Sequence, residues 1–229
     1  MKKLVSLFLC ASMVVMIPGC STMSKLAEGT LVGSGVGATV GAAAGAIAGK
    51  DGKSTAIGAA IGTAVGAGVG ALIGKKMDKK AAELAAIEAA KVETVEDANG
   101  LEAIKVTFDS GILFATNKAD LSPSSKESLK DFANKMADLP DTDITIYGHT
   151  DNTGSDAVNE RLSLQRAESV EKYLNGCGIS NTRMTAEGKS YTMPVASNET
   201  KEGRAQNRRV EIYITANKAM IEAAAAESK

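Results

Sequence analysis

The chain has 229 residues, enough for one or two domains, and a formal net charge of −1 that gives nucleic-acid binding little electrostatic support. A single histidine and no tryptophan limit catalytic and metal chemistry, and no metal or cofactor is expected. Fourteen of the 23 glycines lie between Gly29 and Gly74, whereas seven of the eight aromatic residues lie at or after Phe108. The first hundred residues therefore cannot build an ordinary aromatic- and leucine-packed core, which excludes one uniform globular fold.

The N-terminus has the layout of a secretory signal peptide over residues 1–19. Two lysines precede an uncharged and mostly apolar stretch from Leu4 to Ile17, which is too short to span a bilayer. This pattern predicts export from the cytoplasm.

The end of this segment reads Ile-Pro-Gly-Cys and resembles the bacterial lipobox, although Pro18 departs from the usual small or aliphatic residue. The resemblance implies cleavage before Cys20, acylation of that cysteine, and a lipidated N-terminus over residues 20–28. Ser21 in place of an aspartate is similar to outer-membrane sorting signals. Ordinary secretion with Cys20 as a bystander and an uncleaved anchor are the alternatives.

Two series of glycines recur every four residues, which places each series on one face of a helix. Residues 29–49 and 54–74 carry no charge, and each is about as long as a membrane span. We interpret residues 29–74 as a helical hairpin with facing glycine stripes, which allow close backbone packing and self-association. Glycine disfavours helices in water, so flexible low-complexity sequence is the alternative. The block resembles glycine-zipper segments of bacterial envelope lipoproteins.

Residues 75–95 alternate charged side chains with alanine, and Gly100 ends this region. The pattern predicts a charged helical linker over residues 75–100, exposed to solvent.

Strands and helices alternate from Leu101 onwards. Helix starts and stops are indicated by Ser122 followed by Pro123, by Pro140, and by Gly176. The pattern predicts an α/β sandwich with helices on one face of a small mixed sheet, in a domain over residues 101–217 followed by a C-terminal tail over 218–229. The predicted strands are Ile104–Phe108, Asp143–Tyr147, Met184–Glu187 and Arg209–Thr215.

Four ordered motifs follow one another in this half: Gly148–Gly154 (GHTDNTG), Asn159–Ser163 (NERLS), Arg166–Val170 (RAESV) and Glu202–Glu211 (EGRAQNRRVE). Together they resemble the OmpA-like peptidoglycan-binding domain, a family that includes the peptidoglycan-associated lipoproteins. The resemblance covers about residues 104–215 and implies non-covalent binding of the diaminopimelate side chain of the peptidoglycan stem peptide.

The ligand that this resemblance implies ends in an ammonium and a carboxylate on one carbon. Asp151 can accept the ammonium, and the planar guanidinium of Arg166 can hold the carboxylate through two parallel hydrogen bonds. Asn159 precedes Arg166 by seven residues, so two helical turns bring both to nearly the same face. By resemblance, three further residues line the same pocket: Asn117, Thr150 and Arg209.

The sequence therefore predicts an outer-membrane lipoprotein that tethers the membrane to peptidoglycan. Its partners are peptidoglycan and, through acylated Cys20, membrane lipid, with homo-oligomers formed through the glycine stripes. The C-terminal domain is expected in the periplasm. A membrane-active glycine-zipper assembly, with wall binding secondary, is the alternative. No serine or cysteine nucleophile has a histidine at a familiar spacing, so an enzyme is not expected.

Overall fold

A five-stranded mixed sheet forms the centre of the fold in the computed structural model, which describes residues 66–114 and 117–228. The spatial order is β1-β2-β5-β3-β4, and neighbouring strands are antiparallel except for β3 and β4, which are parallel. The four strands predicted from the sequence are confirmed, and an edge strand, β1, is additional. The strands are β1 (Ala90–Glu96), β2 (Glu102–Asp109), β3 (Thr142–Gly148), β4 (Met184–Gly188) and β5 (Arg209–Ala216).

Helices cover one face of this sheet. They are α1 (Ala67–Leu84), α2 (Ser110–Leu113), α3 (Pro123–Lys135), α4 (Asp156–Gly176), α5 (Lys201–Asn207) and α6 (Lys218–Glu227), with a short 3₁₀ turn at Asn181–Arg183. α1 packs on β1 and β2, α4 packs on β3 and β4, and α3 contacts both helices. The predicted α/β architecture is confirmed. The core between the layers is aliphatic, with Phe108 and Phe132 as its largest side chains.

Local signals for α3 and α4 act as the sequence predicts. The Ser122 hydroxyl accepts a hydrogen bond from the backbone N–H of Ser125. Pro123 occupies the first helical turn, where its missing backbone N–H costs no hydrogen bond because that group has no partner within the helix. α4 ends at Gly176, and the following glycine, Gly178, has a positive φ of 102°. That left-handed conformation suits glycine and reverses the chain towards β4.

Residues 75–100 are not the exposed helical linker that their charges predict. α1 buries Ile73, Met77 and Leu84 completely against the sheet. The next segment is β1, which pairs with β2 from Ala90 opposite Phe108 through to Glu96 opposite Glu102. The large apolar residues of α1 form a narrow stripe, and lysines and alanines lie between them in the sequence. The composition of this segment therefore did not indicate a buried helix face.

A buried lysine fastens α1 to α3. Lys80 is 4% exposed, forms ion pairs with Glu83 and Asp138, and donates to the backbone oxygen of Lys135 at 2.6 Å. Burial lowers the pKa of Lys80, but the hydrogen bonds to the two carboxylates outweigh it, so the pKa lies above its ordinary value. The ammonium is therefore charged where the C-terminal carbonyls of α3 favour a cation.

The last part of the predicted glycine hairpin belongs to this domain. Gly66 is extended (φ −70°, ψ 164°), and α1 begins at the next residue. A Cβ at Gly74 would lie 2.6 Å from Oε2 of Glu102 on β2, so a side chain there would require the Glu102 carboxylate to move. Burial and the neighbouring Asp78 raise the pKa of Glu102 to about 7. The rest of the hairpin, the signal segment and Cys20 lie outside the described residues.

The predicted C-terminal tail is also part of the domain. α6 buries Met220, Ile221 and Ala224, and it packs against α1 and β5. Asn217 caps the helix by accepting from the backbone N–H of Met220. The domain boundaries predicted at residues 101 and 217 are therefore too narrow, because secondary structure on both sides is packed into the same core. Within the described ranges, no helix has the length and apolar character needed to cross a bilayer.

Replacing Met77 with alanine tests whether α1 is part of the core. Because Met77 is 0% exposed, the substitution should lower the free energy of unfolding by about 2–5 kcal/mol. Urea unfolding of a chain that starts at residue 66, followed by far-UV circular dichroism, measures the change. Lys79→Ala is the matched control, since the Lys79 side chain is 78% exposed and should change stability by under about 0.5 kcal/mol. Equal effects of the two substitutions would restore the linker interpretation.

Candidate functional site

The site is built where α4 crosses β3 and β4 at very short range. Gly148 and Gly188 are paired across the two strands, and both face Ser163 on α4. A Cβ at Gly148 would lie 2.0 Å from the backbone oxygen of Ser163, and one at Gly188 would lie 2.7 Å from the backbone nitrogen of Leu164. Only glycine fits at either position. The contact fixes α4 relative to the loop that follows β3.

Asp151 lies in that loop and is 7% exposed. Its Oδ1 accepts from the backbone N–H of Thr153 at 2.9 Å, and its Oδ2 accepts from Nη1 of Arg208 at 2.6 Å. Burial raises the pKa of Asp151, but the hydrogen bonds from Arg208 and Thr153 outweigh it, so the pKa lies below its ordinary value. Asp151 is therefore a carboxylate at neutral pH.

Arg166 on α4 is 3% exposed and only partly satisfied. Its Nε donates to the backbone oxygen of Lys118 at 3.2 Å, and its guanidinium carbon lies 5.2 Å from the ring centre of Phe114. Nη1 is buried and has no hydrogen-bond partner among the described residues. Burial and the charge of Arg208 lower the pKa of Arg166, and Asp151 raises it; the net shift is downward, yet arginine stays charged at neutral pH. A buried charged donor without an acceptor is costly, so this atom favours an anion.

Three other predicted residues lie around this pair. The side-chain amide of buried Asn159 donates to the backbone oxygen of Thr153 at 3.1 Å and so holds the Asp151 loop against α4. The Thr150 hydroxyl is buried without a hydrogen-bond partner in the described part of the chain. Asn117 is exposed, has a left-handed φ of 56°, and precedes Lys118, whose carbonyl accepts from Arg166.

Arg209 belongs to a different set of contacts. Its Nε donates to Oε1 of Glu211 at 2.7 Å, and its other two nitrogens donate to the backbone oxygens of Asn207 and Met193. His149 Nε2 lies 3.5 Å from Glu211. Burial raises the pKa of Glu211, but the nearby His149 and the hydrogen bond and charge of Arg209 lower it to about 2. The hydrogen bonds of Arg209 thus go to this network and not to Asp151.

The arginine that the structure places on Asp151 is Arg208, which the sequence motif alone did not single out. Its side chain is 39% exposed, so it can leave Asp151 without a rearrangement of the core. The signal available in the sequence was two adjacent arginines before a strand. Deciding which one faces the loop required the register of β5.

A cavity of about 320 Å³ opens beside this pair. Neither Asp151 nor Arg166 lines it, but their chain neighbours Thr153 and Gln165 do. The complete lining consists of Asn117, Thr153, Gly154, Val158, Arg161, Leu162 and Gln165. The arrangement offers a carboxylate, two guanidinium groups and an adjoining cavity, which together suit a ligand carrying both a cation and an anion. The fold and site therefore define a binding domain.

Comparison with known proteins identifies the family. Residues 113–208 match the OmpA family, and residues 1–78 match the YMGG-like Gly-zipper. The cell wall anchor of the T6SS from Pseudomonas aeruginosa has a TM-score of 0.52 and 30% identity, over 62% of this chain and 97% of that one. Residues 113–208 therefore form an OmpA-family domain, and the chain carries an N-terminal glycine-zipper segment, as the motifs predicted.

Two curated relatives agree with this assignment. Outer membrane protein Omp38 from Acinetobacter baumannii is 37% identical over 61% of this chain and 38% of its own length. Peptidoglycan-binding protein ArfA from Mycobacterium tuberculosis is 43% identical over 49% of this chain and 34% of its own length. The chain thus spans little more than a third of either relative. The two relatives are named for the outer membrane and for peptidoglycan binding, and neither name is that of an enzyme.

The contact between Arg208 and Asp151 predicts a pKa change. Arg208→Ala removes the hydrogen bond and charge that lower the pKa of Asp151, so that pKa should rise. Because the pKa of Asp151 is lower in the folded than in the unfolded protein, the carboxylate stabilises the fold at pH values above its ordinary pKa. This stabilisation is lost as the pH falls through the folded-state pKa, and in the variant the loss should begin at a higher pH. Titration of the Asp151 side-chain carbon by NMR measures the shift. Lys201→Ala is the control, and an unchanged Asp151 pKa in Arg208→Ala would contradict the assignment.

Proposed function

We propose that this protein binds peptidoglycan non-covalently through the diaminopimelate of the stem peptide. The observation that carries the proposal is the buried pair of Asp151, a carboxylate at neutral pH, and Arg166, whose Nη1 has no acceptor among the described residues. The relative ArfA is a peptidoglycan-binding protein and the similar T6SS structure is a cell wall anchor, which supports the same ligand class.

The chemistry of the ligand end matches this pair. Its ammonium takes the place of the Arg208 guanidinium on Oδ2 of Asp151, and its carboxylate accepts from the free donor of Arg166. Charge is conserved in this exchange, because one cation replaces another on Asp151. The displaced Arg208 is half-exposed and is rehydrated at little cost. Asn159 acts on the ligand indirectly, since its amide holds Thr153 and thereby the loop.

The same proposal places the protein in the cell envelope. Acylation of Cys20 would hold the N-terminus in the outer membrane, and the domain over residues 66–228 would bind peptidoglycan in the periplasm. The relative Omp38 is an outer membrane protein, which favours this membrane. The glycine-zipper match over residues 1–78 supports close packing of glycine faces, between copies of the chain or within one copy.

Retention on intact sacculi tests the binding site. Arg166→Lys keeps the charge but loses the planar fork, and Asp151→Ala removes the acceptor, so each should weaken retention by roughly tenfold or more. Co-sedimentation of the full chain with purified sacculi measures this, with circular dichroism confirming the fold. Lys201→Ala, an exposed change on α5, should bind like wild type. Wild-type retention of the Asp151→Ala, Arg166→Lys double variant would refute the site.

The lipid anchor has its own test. Cys20→Ser cannot form the thioether, so the variant should lose the acyl mass and leave the membrane fraction. Mass spectrometry of the N-terminal peptide and fractionation of the envelope measure the two effects. The wall-binding affinity of the same variant should be unchanged, because Cys20 lies far outside the OmpA match at residues 113–208. An unmodified Cys20 in the wild-type protein would remove the anchor from the proposal.

A further inference from the structure

The cavity beside the Asp151–Arg166 pair contains an arginine that the proposed zwitterion site does not use. Arg161 lies one turn before Gln165 on α4 and lines the cavity of about 320 Å³. It forms no ion pair or hydrogen bond with any described residue, whereas Arg166, Arg208 and Arg209 each do. Its donors are therefore available to a ligand.

The lining of this cavity favours an anion. Among the described lining residues Arg161 alone carries a charge, and Asn117, Thr153 and Gln165 supply further polar groups. The cavity also touches the first turn of α4 through Val158, where the helix dipole is positive. Asp156 in the same turn is engaged by the hydroxyl of Tyr191 at 2.6 Å and does not line the cavity.

The cavity is placed to receive more of the same ligand. Thr153 donates its backbone N–H to Asp151, and Gln165 adjoins Arg166, so the cavity wall and the pair share a loop and a helix. Arg161 precedes Arg166 by five residues, which is about 7.5 Å along the helix axis. Val158 and Leu162 give the cavity an apolar wall against which an aliphatic segment can lie. Its volume is at the lower end of ligand sites and exceeds what one ammonium and one carboxylate fill.

We propose that Arg161 binds a second carboxylate of the stem peptide, outside the zwitterionic carbon held by Asp151 and Arg166. The inference rests on the proposed function, because it assumes that the peptide enters at that pair. Arg161 would then decide which wall peptides bind well: a peptide with this carboxylate free is preferred over one in which it is converted to a carboxamide. A guanidinium recognises a carboxylate through two parallel hydrogen bonds, and a carboxamide cannot accept both.

The experiment compares three forms of one peptide, Ala–Glu–diaminopimelate–Ala. One has all carboxylates free, one has the glutamate α-carboxylate as a carboxamide, and one has the C-terminal carboxylate as a carboxamide. Isothermal titration calorimetry with the full chain in detergent measures each affinity. In the wild type, one of the two amidations should weaken binding about tenfold, which identifies the carboxylate that Arg161 holds.

Arg161→Gln should remove that difference, so that the free and amidated peptides bind equally, at the weaker wild-type level. Lys172→Gln is the matched control, because it removes one exposed positive charge from the same helix. Lys172 lines a different cavity, next to Glu168 and Ser169, so this variant should keep the tenfold preference. The inference is overturned if neither amidation matters in the wild type, or if Arg161→Gln retains the full preference. Failure of the proposed function looks different, since Asp151→Ala would then bind all three peptides as tightly as wild type.

Discussion

The geometry of the site depends on one steric constraint, the contact of α4 with the paired glycines at the ends of β3 and β4. Gly148 and Gly188 leave room for the backbone of Ser163 and Leu164, and any side chain would push the helix away from the sheet. The Ser163 hydroxyl also accepts the backbone N–H of Ser190 at 3.1 Å, so the loop after β4 is fixed by the same residue. Because Asp151 follows β3 and Arg166 lies one turn beyond Ser163, this close approach brings the two charges together.

Two neighbouring arginines have different roles because their side chains point to opposite sides of the chain. Successive residues of an extended chain point to opposite sides, so Arg208 reaches Asp151 while Arg209 pairs with buried Glu211. All three side-chain nitrogens of Arg209 are hydrogen-bonded and keep the end of β5 in place, beside the His149 backbone N–H that donates to the Arg209 carbonyl at 2.9 Å. The Asp151 group is different, because Arg208 pairs with this carboxylate while Arg166 interacts with it only through its charge, so that one positive charge is in excess. In the proposed binding mode, the carboxylate of the ligand would neutralise that excess.

The sequence alone was sufficient where apolar periodicity and motif order agree. It predicted β2 to β5, the start of α3, the end of α4 and the approach of Asp151, Asn159 and Arg166. It missed β1, and it missed the burial of α1 and α6, where alanine, glycine and lysine are frequent and the buried stripe is carried by few side chains such as Ile73 and Met77. Periodicity weakens when small residues fill a helix, because glycine and alanine are compatible with both a packed face and an exposed one. Which of Arg208 and Arg209 pairs with Asp151 depends on the register of β5, and the composition of the chain does not determine that register.

The corrected boundary changes how a tether of this kind could span the envelope. As a helical linker, residues 75–100 would have added about 39 Å between the membrane segment and the domain. Instead α1 and β1 are packed into the domain, with Lys80 bonded to the end of α3, so these residues add no reach. If Cys20 is acylated, the whole distance from lipid to domain must be covered by residues 21–65, at most about 160 Å when fully extended and far less if the glycines pack as helices. Under the proposed tethering, the segment over residues 21–65 would therefore set the distance at which the domain meets the wall.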